Sequence, residues 1–209
     1  MLNCIIMVML GFLSGSVMYS YIIPKFIKHI DVRTQSADGN PGSSNARAAS
    51  GAIIGFACLF FDIAKAAIPV YIAVSIVQIT GAGLALAIAA PVLGHAFSPF
   101  LAFKGGKAVA ASYGALLGAC AISWAVVVLI IVMAFFRFIF IIKPDSAKVI
   151  TAFLLSGLFI WGLEPLFEIK IAMLLISIVV CGKHLLNPNE GKLRISIGPF
   201  EVVGQEKRV

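Results

Sequence analysis

The segment Phe103-Lys104-Gly105-Gly106-Lys107 sets a glycine pair between two ammonium groups. Glycines let backbone N–H groups converge on an anion, and the lysines add point charges, so the turn suits a phosphate or a developing oxyanion. It is not a nucleotide loop, because Ala108 follows Lys107 and the G-x-x-x-x-G-K-[ST] spacing is absent. Taken alone, the turn reads equally well as a basic loop of a membrane protein. A second polar segment runs Asp38-Gly39-Asn40-Pro41-Gly42-Ser43-Ser44-Asn45. Gly and Asn tolerate left-handed backbone, Pro fixes a turn, and Ser44 or Asn45 is placed to cap a following helix whose N-terminus would attract an anion. An ordinary surface turn with a helix cap explains the same residues. A third segment is Lys183-His184-Leu185-Leu186-Asn187, where the histidine is either an acid–base group, a phosphate ligand or an interfacial anchor. His95, about two turns before the lysine-glycine turn, is by itself more typical of a satisfied helix residue than of a catalyst. Asp62 and Lys65 lie three apart inside an apolar run, where lone charges are costly, so they should pair or line a polar cavity.

The elements that position these groups follow from composition. Of 209 residues, 61% are hydrophobic and 12% charged, and the mean hydropathy is +1.05. A soluble domain of this size has too little interior to hide that much apolar surface, so the chain is solvated by lipid. This excludes a soluble enzyme, a nucleic-acid-binding module and a disordered tail. Apolar runs fall at 1–24, 50–73, 82–102, 108–122, 123–142, 149–163 and 169–182, each near the length of a membrane-crossing helix. The first lacks the basic start and small-residue cleavage site of a signal peptide. The fold expected is an all-α integral membrane protein, 1–209 as one membrane domain with about seven crossings. The polar motif loops are 25–47, 104–107 and 183–209, and the tail from Asn187 onward is expected to be amphipathic at best and to lie on the membrane surface.

Charge placement orients the bundle. With the N-terminus outside and the C-terminus cytoplasmic, the inward loops collect Lys25, Lys28, Arg33 and Arg47, then Lys104 and Lys107, then Lys143 and Lys148, then Lys183, Lys192, Arg194, Lys207 and Arg208. The outward turns near 74–81 and 122–123 carry no basic residue. That is the positive-inside pattern, and it accounts for the net charge of +7 without a charged partner. Six crossings would spoil it. All three chemical segments then share the inner face. The four cysteines (Cys4, Cys58, Cys120, Cys181) sit in apolar runs without zinc-ligand spacing and read as small buried residues. No carboxylate cluster points to a metal.

In this order and separation, the segments resemble the bacterial acyl-phosphate:glycerol-3-phosphate acyltransferase family of integral membrane enzymes. The resemblance spans nearly the whole chain, through Gly15-Ser16, Asp31-x-Arg33, Gly39-Asn40-Pro41-Gly42-x-x-Asn45, Asp62-x-x-Lys65, Gly94-His95-x-Phe97, Phe103-Lys104-Gly105-Gly106-Lys107 and His184-x-x-Asn187. It implies seven spans in a bacterial cytoplasmic membrane and transfer of a fatty acyl group from acyl phosphate to the 1-hydroxyl of glycerol 3-phosphate, giving lysophosphatidic acid, without a cofactor. By similarity, Arg33, Ser36, Asn40, Gly42, Ser43, Asn45 and Lys104 bind glycerol phosphate, and Gly105, Gly106 and Lys107 contact acyl phosphate or the oxyanion. His95, His184 and Asn187 orient substrate or move a proton. The partners implied are those two substrates and the bilayer.

The chain departs from the family pattern at several positions. Where the family reads G-S-G before N-P-G, it has Ala37-Asp38-Gly39, which displaces a phosphate-contacting serine to Ser36 or removes it and introduces a carboxylate. Ser98 replaces a proline, Ala108 a glycine, and Pro188-Asn189-Glu190 follows Asn187 in place of the usual tail. A diverged homologue acylating another phosphorylated acceptor therefore stays open, as does a small transporter whose polar path runs past Asp62, Lys65 and His95.

Overall fold

Among the described residues, five helical stretches are long and apolar enough to cross a bilayer: Leu2–Lys28, Ala52–Ile76, Ala82–Leu101, Asp145–Leu163 and Phe167–Leu186. The computed structural model describes residues 1–186, 191–198 and 200–203. The first stretch is two helices, α1 (Leu2–Ser16) and α2 (Tyr19–Lys28), separated where Val17 takes an extended conformation. After a one-turn helix α3 (Val32–Gln35) and α4 (Ser43–Ser50), α5 (Ala52–Tyr71) runs into a π-helical turn ending at Ile76. Next come α6 (Ala82–Ala96), a short 3₁₀ turn at Pro99–Leu101, and two shorter apolar helices, α7 (Val109–Gly118) and α8 (Ala125–Ala134), the latter extended by a π turn to Ile139. Strand β1 (Phe140–Lys143), α9 (Asp145–Leu163), α10 (Phe167–Leu186), β2 (Arg194–Ile197) and β3 (Phe200–Val203) complete the order.

Many large side chains face outward, and alanines fill much of the space between helices. Ile53, Phe56, Phe60 and Ile68 of α5 are exposed, whereas Ala66, Ala85, Ala89, Ala111 and Ala172 are buried. In lipid, apolar surface gives no drive for helix association, so close backbone approach through small residues must supply it. The α1–α6 contact works this way. A Cβ on Gly15 would lie 2.1 Å from the Pro91 carbonyl oxygen, and one on Gly94 would lie 2.1 Å from that of Phe12. At one end of the bundle Ser123 Oγ donates to the buried Glu164 Oε2 at 2.6 Å, tying the turn before α8 to the turn before α10.

Asp62 and Lys65 pair inside the bundle, as their spacing requires. Lys65 Nζ lies 2.7 Å from Asp62 Oδ1 across one turn of α5, and it also donates to the Val17 carbonyl, which the α1–α2 break leaves without a helical partner. The Ser20 hydroxyl donates to the other Asp62 oxygen.

Three expectations need correction. The chain is not purely helical: β1, β2 and β3 form an antiparallel sheet in which Phe140 pairs with Ile197 and Lys143 with Arg194. The described part of the tail forms strands β2 and β3, with Arg-Ile-Ser-Ile of β2 pairing along β1. The cap of α4 is Gly42, not Ser44 or Asn45, because the Asn45 amide is used inside the preceding loop. Cys120 is exposed rather than buried, since the chain leaves α7 there in a turn; Cys58 is buried and Cys4 and Cys181 are half-buried.

Candidate functional site

The loop between α2 and α4 is built on two aspartates. Asp31 caps α3 by accepting from the Arg33 amide at 3.0 Å and pairs with the Arg33 guanidinium at 2.7 Å. That guanidinium lies over the Tyr21 ring at 4.4 Å, so Arg33 is held against α2. Its hydrogen bond to Asp31 lowers the Asp31 pKa and raises its own. Further on, Asp38 Oδ1 accepts from the Asn40 amide (3.2 Å) and from Asn45 Nδ2 (3.0 Å), while Asn45 also donates to the Asn40 carbonyl (2.9 Å). Gly39, at φ +61°, supplies the left-handed residue this tight loop needs. The second Asp38 oxygen meets Lys107 Nζ at 2.7 Å. Burial alone would raise the Asp38 carboxyl, but the hydrogen bonds from Lys107, the Asn40 amide and Asn45 keep it below the ordinary carboxylate value. The pair is therefore complete above that value and is lost only as pH falls through the lowered one.

The lysine-glycine turn is bound to the bundle by its backbone. The Gly106 amide donates to the His95 carbonyl at 3.0 Å, and the buried Lys183 ammonium donates to the carbonyls of Ala96 (3.0 Å) and Gly105 (3.2 Å). Ser98, in place of the family proline, donates to the Ser16 carbonyl at 2.6 Å. The glycines are required by close approach: a Cβ on Gly105 would lie 2.0 Å from the His95 carbonyl oxygen, and one on Gly106 would lie 2.3 Å from His95 Nε2. Gly105→Ala is expected to lower thermal stability in detergent by about 1–3 kcal/mol, because the atoms in the way are backbone and cannot rotate aside. A melting curve unchanged from the parent would contradict this packing.

These segments meet around a cavity of ≈ 380 Å³, within the range of small-molecule clefts. Asn40, Gly42, Ser43 and Asn45 of the loop line it, with Lys107, His95 at the end of α6 and His184 at the end of α10. His95 and His184 are both buried, and the ring nitrogens of His184 and Nδ1 of His95 have no hydrogen-bond partner among the described residues. Buried polar atoms are rarely left so, except where a ligand or water completes them. Leu59, Tyr113, Met133 and Val149 form an apolar wall.

Other expected site residues lie elsewhere. Arg33 and Ser36 are outside the wall, with the Ser36 hydroxyl directed at the Arg33 carbonyl at 3.5 Å, and the carboxylate introduced at Asp38 is spent on Lys107. Lys104 is exposed; Gly105 and Gly106 carry the chain to the cavity without lining it; Asn187 lies outside the described residues. Sequence reasoning missed Lys148 and Asp145, a pair at 2.6 Å on the first turn of α9 whose side chains also line the cavity. It also counted Lys183 only among the inward basic residues. The i, i+3 spacing of Asp145 and Lys148 carries the same meaning as Asp62 and Lys65, and was legible in that form.

An apolar helical bundle, with a charged and polar cavity and orphaned imidazoles facing it, defines a multi-pass membrane protein with a polar pocket among apolar helices. A family model described as Glycerol-3-phosphate acyltransferase matches residues 5–191. The chain belongs to that family. A glycerol-3-phosphate acyltransferase of Shewanella oneidensis is 35% identical over 200 residues, covering 90% of this chain and 92% of that one. Glycerol-3-phosphate acyltransferase 1 of Thermotoga maritima is 48% identical over 111 residues, a match spanning 52% of this chain and 54% of the relative. The crystal structure of PlsY (YgiH), an integral membrane glycerol 3-phosphate acyltransferase, in its glycerol 3-phosphate form superposes with a TM-score of 0.77 at 27% identity, covering 88% of this chain and 90% of that one. Its lysophosphatidic acid form gives 0.74 over 88% and 89% of the two chains.

Proposed function

We propose that this protein transfers a fatty acyl group from acyl phosphate to the 1-hydroxyl of glycerol 3-phosphate. The hydroxyl oxygen attacks the carbonyl carbon, the bond from that carbon to the phosphate oxygen breaks, and lysophosphatidic acid and inorganic phosphate leave. The observation that carries this reading is the meeting of Asn45, Lys107 and His184, from three distant segments, around one cavity. Family membership and the glycerol 3-phosphate and lysophosphatidic acid forms of the solved relative support it. Acyl phosphate is already activated, so no covalent nucleophile is needed. The protein supplies proximity, and Lys107 with the polar loop offsets charge on the carbonyl and the leaving phosphate. A neutral imidazole with an open ring nitrogen, at His184 or His95, accepts the hydroxyl proton. Asn40, Gly42, Ser43 and Asn45 hold the acceptor's phosphate.

Seven crossings in a bacterial cytoplasmic membrane, with the N-terminus outside, fit this reading. α7 and α8 would be the two short crossings, the cavity would face the cytoplasm where both phosphates are available, and the Ser123–Glu164 contact would lie at the outer face. The donor is tested with purified protein in micelles, radiolabelled glycerol 3-phosphate, and palmitoyl phosphate, palmitoyl-CoA or palmitoyl acyl carrier protein. Product is expected from palmitoyl phosphate alone. Product from the thioesters alone would overturn the donor, and none from any would overturn the enzyme reading.

A further inference from the structure

Five charged side chains line the cavity among the described residues: Asp38, Asp62, Asp145, Lys107 and Lys148. A site for phosphate needs an ammonium group that can exchange its present partner for the ligand. Asp62 is committed to Lys65 and Ser20 within the bundle. The two remaining pairs differ in what holds their carboxylates. In the Lys107–Asp38 pair both side chains are nearly buried, 8% and 11% exposed, and Asp38 is further tied by the Asn40 amide and Asn45. Removing Asp38 from Lys107 would leave a buried carboxylate, so that pair resists exchange and Lys107 meets the reacting groups with Asp38 still attached. In the Lys148–Asp145 pair the lysine is 9% exposed but the aspartate is 65% exposed. Asp145 can turn into water at little cost, whereas Lys148 stays in the wall and needs an anion there. The same cavity presents buried His184, whose ring nitrogens are unpartnered. The 19-residue α9 begins at Asp145, so the positive end of its dipole adds to the attraction for an anion.

We propose that Lys148 is a phosphate-binding residue of this site, and that Asp145 is the internal carboxylate a substrate's terminal phosphate group displaces. The inference rests on the acyltransferase reading only in taking the cavity as the substrate site. Either substrate carries the required chemistry, the acceptor as a phosphate ester and the donor as an acyl phosphate.

The test titrates inorganic phosphate and glycerol 3-phosphate calorimetrically into the full chain in micelles, for the parent, Lys148→Gln, Lys148→Arg, Asp145→Asn and the Asp145→Asn/Lys148→Gln double variant. Loss of a charged hydrogen bond predicts about tenfold weaker binding in Lys148→Gln, with Lys148→Arg close to the parent. Asp145→Asn is expected to tighten binding several-fold only while Lys148 is present, because removing its competitor matters only if Lys148 is the ligand. Binding unchanged in Lys148→Gln, or the same tightening in the Lys148→Gln background, would overturn the proposal. If Lys148→Gln does not fold, judged by its melting curve, Asp145→Asn decides alone: unchanged or weakened binding rejects the proposal. KM for glycerol 3-phosphate and for palmitoyl phosphate, measured separately, assigns the residue to acceptor or donor. Binding that follows the expected pattern without acyl transfer from any donor would sink the enzyme reading and leave the phosphate site standing.

Discussion

Replacing Lys107 by alanine is expected to lower kcat/KM for acyl transfer by about 10²- to 10³-fold, the usual cost of removing one preorganised group that meets charge as it develops. Lys107 is the only lysine of its turn that lines the cavity, and its ammonium lies 2.7 Å from Asp38. Lys104, three residues past the 3₁₀ turn at Pro99–Leu101, is exposed and does not line the cavity. Lys104→Ala should therefore retain most activity, although the two lysines are symmetrical about the glycines in sequence. Parallel assays with palmitoyl phosphate and glycerol 3-phosphate check this. Equal losses in both variants would mean that Lys104 reaches substrate and that the cavity wall is drawn wrongly. A folded-state control is needed for Lys107→Ala, because the variant leaves Asp38 without its ammonium partner. Lys107→Gln, which retains a donor, separates loss of charge from collapse of the loop.

The second large effect concerns stability. Lys65→Met should destabilise the protein by about 3–5 kcal/mol, since it leaves the Asp62 carboxylate uncompensated inside the bundle. The side chains of Lys65 and Asp62 are 2% and 1% exposed, so neither water nor counterions can take over. Lys65 also satisfies the Val17 carbonyl at the α1–α2 break, and the Ser14 hydroxyl donates to the Lys65 carbonyl at 2.7 Å. Losing the lysine should thus loosen α1 and α2 together. Asp62→Asn combined with Lys65→Met should recover much of the loss, because a neutral amide needs less compensation than a charge. Thermal unfolding in detergent for both single variants and the pair makes the comparison. A double variant no more stable than Lys65→Met would show that the carbonyl contact, rather than the carboxylate, dominates.

The helical stretches were legible because lipid imposes a simple rule: long apolar segments must close their own backbone hydrogen bonds. The runs at 82–102 and 169–182 correspond to Ala82–Leu101 and Phe167–Leu186 for that reason. The Asp62–Lys65 pair followed from the cost of isolated charge. The convergence of Asn45, Lys107 and His184 needed more than periodicity; it came from charge bias, which set the segments on one face, and from the family resemblance. What stayed hidden were partnerships decided by tertiary contact. Nothing local indicates that Asp38 turns towards Lys107, that Arg33 lies on Tyr21, or that Lys183 binds the carbonyls of Ala96 and Gly105. Nor does a four-residue strand register in hydropathy when its partner lies some fifty residues away.

The pairing of β1 with β2 joins two places that chemistry treats separately. β1 leads through Pro144 directly into the turn of α9 that carries Asp145 and Lys148, while β2 follows the helix that ends near His184. Any load on the carboxyl-terminal ribbon, whether a fused reporter or tethering to a solid support, therefore pulls through hydrogen bonds on the mouth of the cavity. An attachment at the amino-terminal end, on α1, would instead load the bundle through α5 and α6, on which α1 packs.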